Sequence, residues 1–169
     1  MRIWFDTEFI EDGHTIELLS IGAVREDGLT FYAEPVETDR SLASPWVAEN
    51  VLPRLTGPVV PRREIARAII DFAGPSPEFW AYYCSYDWVT LCQLFGTMMD
   101  LPSGWPMWCR DLKQLAEDHG NPDLHALVPQ VDEHNALADA LWTRDAFIAL
   151  ESNTPADKFL DRISTQDYS

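Results

Sequence analysis

Two carboxylates lie close together in the segment IWFDTEF, residues 3–9. Its aromatic and β-branched residues, with no glycine or proline among them, predict a buried β-strand. Because side chains alternate between the two faces of a strand, Asp6 and Glu8 point to the same face. Two unpaired like charges cost several kcal/mol each to bury, so the pair requires a cation. An edge strand with a solvated acidic face is the alternative, and this strand alone leaves both interpretations open.

A third carboxylate, Asp87, lies where a strand-like segment at 78–84, EFWAYYC, passes into a helix-like segment. Open α/β sheets place their functional sites at such carboxyl ends of strands. The alternative is a helix N-cap, in which Asp87 precedes a helix that begins at Trp88. Taken alone, the position favours the cap.

A histidine and a fourth carboxylate follow in the segment HNALADA, residues 134–140. Asp139 is flanked by alanines and a leucine, so it belongs to the buried part of the predicted last helix. The H-x4-D spacing does not bring both side chains to one face of a helix. We therefore expect His134 on the preceding loop or first turn, from where it reaches the site that Asp139 faces. A surface histidine beside a solvated aspartate is the alternative.

The elements that would position these residues begin with three strands, predicted at 2–9, 15–25 and 29–34. The turn segments EDGH and REDG between them indicate an antiparallel meander. A proline-rich loop follows, with a short helical piece in PWVAENVL, residues 45–52.

Helices and strands alternate in the rest of the chain. The predicted elements are a helix at 62–73, a strand at 78–84, a helix at 86–99, a short strand at 107–111, a helix at 112–120 and a last helix at 136–151. A meander followed by this alternation indicates an α/β three-layer domain with a mixed sheet. We predict a single domain over residues 1–151 and a polar tail, in part a short helix, over 152–169.

The composition is typical of a globular protein, since 169 residues with 46% hydrophobic side chains suffice for a substantial core. The sequence contains no apolar run of about 18 residues, so no transmembrane helix is predicted. The N-terminus lacks the pattern of a signal peptide. Cys84, Cys92 and Cys109 form no close pair suited to zinc and are predicted to be reduced thiols. We therefore expect a cytoplasmic protein without a membrane partner.

The formal net charge of −16 is unusual for a protein that wraps a nucleic-acid backbone, because such proteins gain affinity by neutralising phosphates. Two interpretations are compatible with this charge. Either the partner is not a polyanion, or the protein binds a polyanion only locally, with metal ions between its own acids and a phosphate.

Taken in order, the three motifs resemble one known family. D-x-E in the first strand, an aspartate at a strand-to-helix junction and H-x4-D near the C-terminus resemble the DEDDh family of 3'-5' exonucleases. The resemblance spans residues 2 to about 150. Length and motif wording are most similar to ribonuclease T and oligoribonuclease relatives, in particular to exoribonucleases described as polyadenylate-specific. The resemblance implies a ribonuclease H-like three-layer domain, whose mixed sheet begins with three antiparallel strands and is flanked by helices.

The resemblance also implies a two-metal site with Mg²⁺ or Mn²⁺ as the ions. The implied metal ligands are Asp6, Glu8, Asp87 and Asp139. Asp6 would bridge both ions, and these four residues with His134 would form the catalytic set. His134 would accept the proton of the attacking water. The products would be nucleoside 5'-monophosphates from the 3' end of single-stranded RNA, with adenylate tracts as the preferred substrate.

Aromatic side chains are the usual means of holding single-stranded RNA, through base stacking. Phe9 follows the first two acids and is expected to flank the terminal base, and Thr7 is expected to present its backbone to the ribose. The predicted substrate contacts are Thr7, Phe9, Tyr86 and His134. Further aromatic candidates are Trp46 and Trp108, although aromatic residues are more often part of the core.

Basic residues are concentrated in one segment, PRLTGPVVPRREIAR, with Arg54, Arg62, Arg63 and Arg67. They either steer the upstream strand of RNA or are solvated residues of an amphipathic helix. Two divalent ions would themselves add positive charge where a phosphate must approach.

Three functional hypotheses follow. The first is the metal-dependent exoribonuclease. The second is a proofreading-type DNA 3'-5' exonuclease, which the lack of an attached polymerase or clamp-binding segment disfavours. The third is a non-catalytic, acidic nucleic-acid-binding module. Discrimination of RNA from DNA depends on a contact to the 2'-hydroxyl, which the sequence does not identify. By resemblance to ribonuclease T relatives we also expect a homodimer.

Overall fold

A six-stranded mixed sheet organises this computed structural model, which describes residues 1–152. Its strands are β1 (Arg2–Glu11), β2 (Ile16–Arg25), β3 (Thr30–Pro35), β4 (Val59–Val60), β5 (Glu78–Ala81) and β6 (Arg110–Asp111). Their order across the sheet is β4-β3-β2-β1-β5-β6. Strands β1, β2 and β3 pair antiparallel, whereas β5 is parallel to β1 and β6 is parallel to β5. The predicted mixed sheet with an antiparallel beginning is thereby confirmed.

Helices cover both faces of this sheet. In the described part of the chain they are α1 (Pro45–Asn50), α2 (Arg62–Ala73), α3 (Ser85–Gln93), α4 (Leu112–Asp118), α5 (Leu124–Leu127) and α6 (Ala136–Ser152), with 3₁₀ turns at Arg40–Leu42, Leu52–Arg54 and Met98–Asp100. Alternate residues of β1 belong to two different cores. Phe5 packs with residues of α2 and α3, whereas Trp4 packs with residues of α4, α5 and α6. The three-layer arrangement follows from this alternation.

Several predicted boundaries are wrong, and each has a local cause. The strand predicted at 78–84 ends at Ala81, because Tyr83 adopts a φ of 58°, which does not continue a strand. The helix predicted at 86–99 begins at Ser85 and ends at Gln93, and Gly96 follows with a φ of 121°. Asp87 therefore lies in the first turn of α3 and is not its N-cap.

Short elements were also missed or predicted too long. Strand β4 lies in the segment predicted as a proline-rich loop, where it pairs parallel with β3. The strand predicted at 107–111 is reduced to Arg110–Asp111, and α5 lies in the segment predicted as a loop before the last helix. The predicted tail over 152–169 lies outside the described residues, apart from Ser152, which ends α6. Among residues 1–152 no helix is both long and apolar enough to cross a membrane.

Gly22 allows the last helix to approach the sheet closely. It lies in β2 directly opposite Asp6 of β1. A Cβ atom at position 22 would lie 2.2 Å from the carbonyl carbon of Ala136 and 2.2 Å from the amide nitrogen of Leu137. The first turn of α6 thus rests on the sheet where only a glycine fits, and this contact brings α6 next to Asp6.

We expect Gly22→Ala to destabilise the protein by about 1–3 kcal/mol, the usual cost of overpacking a filled core. The added methyl group meets backbone atoms of α6, which cannot rotate away as a side chain could. Urea denaturation followed by circular dichroism measures this loss. The control is Gly120→Asn, since Gly120 has a φ of 86° and open space around it, and asparagine tolerates this backbone region. Equal stability of the two variants would contradict the packing argument.

Candidate active site

Four carboxylates and a histidine converge beside the C-terminal half of β1. Ligand atoms of Glu8, His134 and Asp139 all lie within 4.8 Å of one another. Asp6 is close enough to three other carboxylates for each to affect its pKa, and these are Asp87, Glu8 and Asp139. The structure thus brings together the five residues that the sequence motifs singled out, from three separate elements and a loop.

Burial and mutual repulsion keep these carboxyls from ionising freely. Burial, followed by the charges of Asp87, Glu8 and Asp139, raises the pKa of Asp6 well above its ordinary value. Burial and the charges of Asp139 and Asp87 raise the pKa of Glu8 to about 8. The charged groups with the largest effects on the pKa of Asp6 and of Glu8 are all carboxylates.

The donor set fits a divalent metal ion. The Oδ2 atom of Asp6 is buried and has no hydrogen-bond partner among residues 1–152. A buried acceptor without a donor is costly, whereas a cation in contact with it would remove that cost. Carboxylate oxygens are the ligands that Mg²⁺ and Mn²⁺ prefer.

Asp87 is held in place by β1. Its Oδ1 atom accepts a hydrogen bond from the Thr7 N–H, at 2.9 Å, and another from the Thr7 hydroxyl, at 2.7 Å. Burial raises the pKa of Asp87 to about 6, and the two Thr7 hydrogen bonds oppose that rise. The Oδ2 atom is not used by Thr7 and remains for another partner.

The turn that leads to Asp87 is fixed by an acid from β6. Asp111 accepts hydrogen bonds from the backbone N–H groups of Tyr83, at 3.1 Å, and Cys84, at 3.3 Å. Both donors lie just before α3, which begins at Ser85. Asp111 therefore fixes the backbone of the turn that leads into α3, and Asp87 follows in the first turn of that helix.

Asp139 connects α6 to the loop that carries His134, residues 128–135, which we call the histidine loop. Its Oδ2 atom accepts the His134 backbone N–H at 2.9 Å, and its Oδ1 atom accepts the Gln130 side-chain amide at 2.6 Å. Burial raises the pKa of Asp139, and these two hydrogen bonds oppose the rise. As the sequence predicted, His134 lies on the loop before α6, with a φ of 68°.

The imidazole ring of His134 is packed against α1. The Trp46 ring meets it edge to face, with the ring centroids 4.9 Å apart. The side chain of the next residue, Asn135, donates a hydrogen bond to the Arg54 carbonyl at 2.9 Å. The segment around α1 thus holds the histidine loop from the outside.

The predicted base contacts fall into two groups. Phe9 and Tyr86 contact each other, with ring centroids 5.6 Å apart, and in the sequence Phe9 directly follows Glu8 and Tyr86 directly precedes Asp87. Trp108 lies elsewhere, in a cavity with Met1 and Arg110 at the opposite end of β1. The Thr7 N–H is already bonded to Asp87, so its contact to a ribose stays a prediction.

The predicted basic residues do not form one patch. Arg54 lies 3.8 Å from Asp132, close to the histidine loop. Arg62 instead pairs with Glu17 and donates its backbone N–H to Glu37. The exposed Arg63 and Arg67 lie on α2.

Sequence reasoning missed one wall of the site. A cavity of about 310 Å³ borders Asp6, His134 and Asp139, and its further lining includes Tyr82, His125, Gln130, Glu133, Trp142 and Thr143. Trp142 and Thr143 could have been found, because they follow Asp139 by three and four residues and share its helical face. The local sequence did not indicate the lining residues that precede His134, because only the packing of distant segments brings them to the cavity.

Comparisons with known proteins agree with the family that the sequence motifs resemble. The family model of the 3'-5' exoribonuclease Rv2179c-like domain matches residues 1–150. Two relatives from Mycobacterium tuberculosis are the 3'-5' exoribonuclease Rv2179c of strain ATCC 25618 / H37Rv and the 3'-5' exoribonuclease MT2234.1 of strain CDC 1551 / Oshkosh. Each is 46% identical over 149 aligned positions, and the match covers 83% of this chain and 87% of the relative.

Solved structures show the same fold at low identity. Exonuclease I superposes with a TM-score of 0.65 at 16% identity, over 97% of this chain and 43% of its own. The RNase domain of the yeast Pop2 protein gives 0.62 at 12% identity, over 89% of this chain and 76% of its own. They confirm the predicted ribonuclease H-like fold. The family-model match and the 46% identity show more, namely that this chain belongs to the Rv2179c-like 3'-5' exoribonuclease family.

Proposed function

We propose that this exoribonuclease removes nucleoside 5'-monophosphates one at a time from the 3' end of single-stranded RNA, by a two-metal mechanism with His134 as the general base. The observation that carries the proposal is the convergence of four carboxylates and one imidazole within a single site. The relatives named 3'-5' exoribonucleases support RNA over DNA. The preference for adenylate tracts comes from the resemblance to polyadenylate-specific enzymes alone.

The carboxylates would hold the metal ions, with Asp6 as a central ligand. Its buried Oδ2 atom, without a hydrogen-bond partner among the described residues, supports contact with a cation. Asp87 would bind through Oδ2, because Thr7 occupies its Oδ1 atom. Glu8 and Asp139 would complete the set. When bound, two divalent ions supply positive charge at the scissile phosphate and favour the ionisation of the attacking water.

His134 would accept the water proton at a ring nitrogen. One of its nitrogens lies within 4.8 Å of carboxylate oxygens of Glu8 and Asp139, so a water held by these acids is within its reach. The edge of Trp46 restricts the rotation of the imidazole ring. The proton then leaves to solvent, since the side chain is only half-buried.

Base stacking, in place of electrostatic contacts to the RNA backbone, would hold the RNA. The net charge of −16 disfavours a long backbone groove, and the terminal base would instead lie against Phe9 and Tyr86. The homodimer stays a prediction from the resemblance, and the cytoplasmic location stays a prediction from the sequence composition. Size-exclusion chromatography with light scattering tests the homodimer.

The substrate assay is a gel time course on 5'-labelled oligo(A), oligo(U) and oligo(dA). We expect a ladder that shortens from the 3' end with Mg²⁺ or Mn²⁺ and no cleavage with EDTA, since the carboxylates act through the ions. Oligo(A) should be degraded fastest and oligo(dA) slowest. Preferred cleavage of oligo(dA) would favour the DNA exonuclease, and absence of cleavage with metal bound would favour the non-catalytic module.

Two variants separate metal binding from proton transfer. Asp6→Asn should abolish cleavage together with the rise in melting temperature that Mn²⁺ causes. His134→Ala should keep that rise but cleave about 10²–10⁴-fold more slowly, the usual contribution of a general base. His14→Ala is the control, because His14 is exposed in the turn between β1 and β2. Near-normal turnover by His134→Ala would contradict its role as base.

The raised carboxyl pKa values predict how pH affects the metal-free protein. The pKa of Glu8 is about 8 when folded, against an ordinary value of 4.5, so the folded state holds the proton more tightly. The free energy of unfolding gained from this group is present below pH 4.5 and is lost as the pH rises to about 8. Metal ions bind the deprotonated carboxylates, so their stabilising effect should grow over the same range.

Melting temperatures in EDTA and in Mn²⁺, measured across this pH range, test the prediction. The difference between the two conditions should widen as the pH rises. Glu8→Gln is the matched control, because it keeps the side-chain shape but cannot titrate, and it should flatten the decline in EDTA. An identical pH dependence in both proteins would show that Glu8 is not the source.

A further inference from the structure

The cavity beside the acids is large enough to hold a small ligand. Its volume of about 310 Å³ lies at the lower end of small-molecule sites, which span about 300–1,000 Å³. It extends from the carboxylates of Asp6 and Asp139 towards α5 and the end of β5. A single nucleoside matches this size, and a longer stretch of chain does not.

Aromatic rings form one wall of the cavity. The imidazole of His125 is stacked on the indole of Trp142, with centroids 4.6 Å apart and planes inclined by 18°. Trp142 is buried and its indole N–H is bonded to the Val128 carbonyl, so this ring is a fixed support. His125 is exposed and is therefore the ring that a base can reach. The ring of Tyr82 meets that of Trp142 edge to face, with the ring centroids 5.1 Å apart, and it also lines the cavity.

The charges of the lining favour a neutral, flat ligand. Its ionisable side chains include three acids, Asp6, Glu133 and Asp139, and no lysine or arginine is among the described lining residues. A phosphate would be repelled there without metal ions, whereas a nucleobase carries no charge. Histidine, tyrosine and tryptophan rings are the usual stacking partners of RNA bases.

Polar groups at the edge of the cavity suit a base as well. Gln130 uses one amide N–H for Asp139, and an amide has a second N–H and a carbonyl oxygen. The hydroxyl of Tyr82 stays protonated as a donor, because burial and the neighbouring Tyr83 raise its pKa to about 12. These groups can pair with the donors and acceptors along a base edge.

The position of the cavity selects the nucleotide. A phosphodiester held at the acids has one nucleotide on each side, and Phe9 with Tyr86 is assigned to the terminal base. The cavity borders the same acids from the side of α5 and α6. We propose that it binds the base of the penultimate nucleotide, whose 3'-oxygen is the leaving group, with His125 as the stacking platform. The inference rests on the proposed exoribonuclease function and adds a second base-binding subsite to it.

The test compares two adenylate oligonucleotides, one intact and one with a stable abasic residue at the penultimate position. The rate of the first cleavage gives kcat/KM for each. Wild-type protein should prefer the intact RNA by about tenfold, the order expected when one stacked base is lost. For His125→Ala, kcat/KM on the intact RNA should fall about tenfold, mainly through a higher KM. On the abasic RNA kcat/KM should not change, so the preference for the intact RNA disappears. His125→Phe should restore it, because a phenyl ring also stacks.

The controls separate this subsite from the catalytic centre. His14→Ala should behave as wild type, and His125→Ala should keep the Mn²⁺-dependent rise in melting temperature. A preference that persists in His125→Ala, or an equal loss on both RNAs, would overturn the subsite. Equal rates of the wild-type protein on the two RNAs would overturn it as well. Cleavage of neither RNA by the wild-type protein would instead refute the proposed function.

Discussion

Repulsion among the carboxylates around Asp6 is the constraint on which the rest of the structure depends. Burial and three neighbouring acids oppose the ionisation of Asp6, and the described chain offers no donor to its Oδ2 atom. Such a cluster is unfavourable to folding unless its carboxyls are protonated or a cation joins it. The fold must therefore supply enough stability elsewhere to hold the acids together. Two apolar cores, one on each face of β1, provide that stability.

Hydrogen bonds hold two of the acids, Asp87 from a distant strand and Asp139 from the loop that precedes its own helix. Thr7 fixes Asp87, and Gln130 and the His134 backbone fix Asp139. Gly22 then determines how near α6 comes to β1. None of these contacts is strong by itself, since a hydrogen bond contributes about 0.5–1.5 kcal/mol net. Together they limit the motion of side chains that would otherwise turn away from one another, and the metal ligands are thereby preorganised.

The sequence predicted what depends on local pattern and missed what depends on distant partners. Strand alternation placed Asp6 and Glu8 on one face, and helical periodicity placed His134 before α6. The alternative cap at Asp87 was wrong because α3 begins at Ser85, and the Asp87 carboxylate accepts hydrogen bonds from Thr7 of β1 instead. No periodicity in the segment before α6 indicated that His125 would stack on Trp142. Short elements such as β4 likewise form only because β3 is there to pair with.

The acidic surface has a consequence for how RNA can be bound. A protein with a net charge of −16 gains little from counterion release along a backbone, so it has no electrostatic reason to bind within a strand. In the proposed mechanism, attraction would be confined to the place where metal ions offset the carboxylates. The ring pairs Phe9 with Tyr86 and His125 with Trp142 would then add base stacking there. The charge distribution thus favours a short contact with a few nucleotides over a long contact along the backbone.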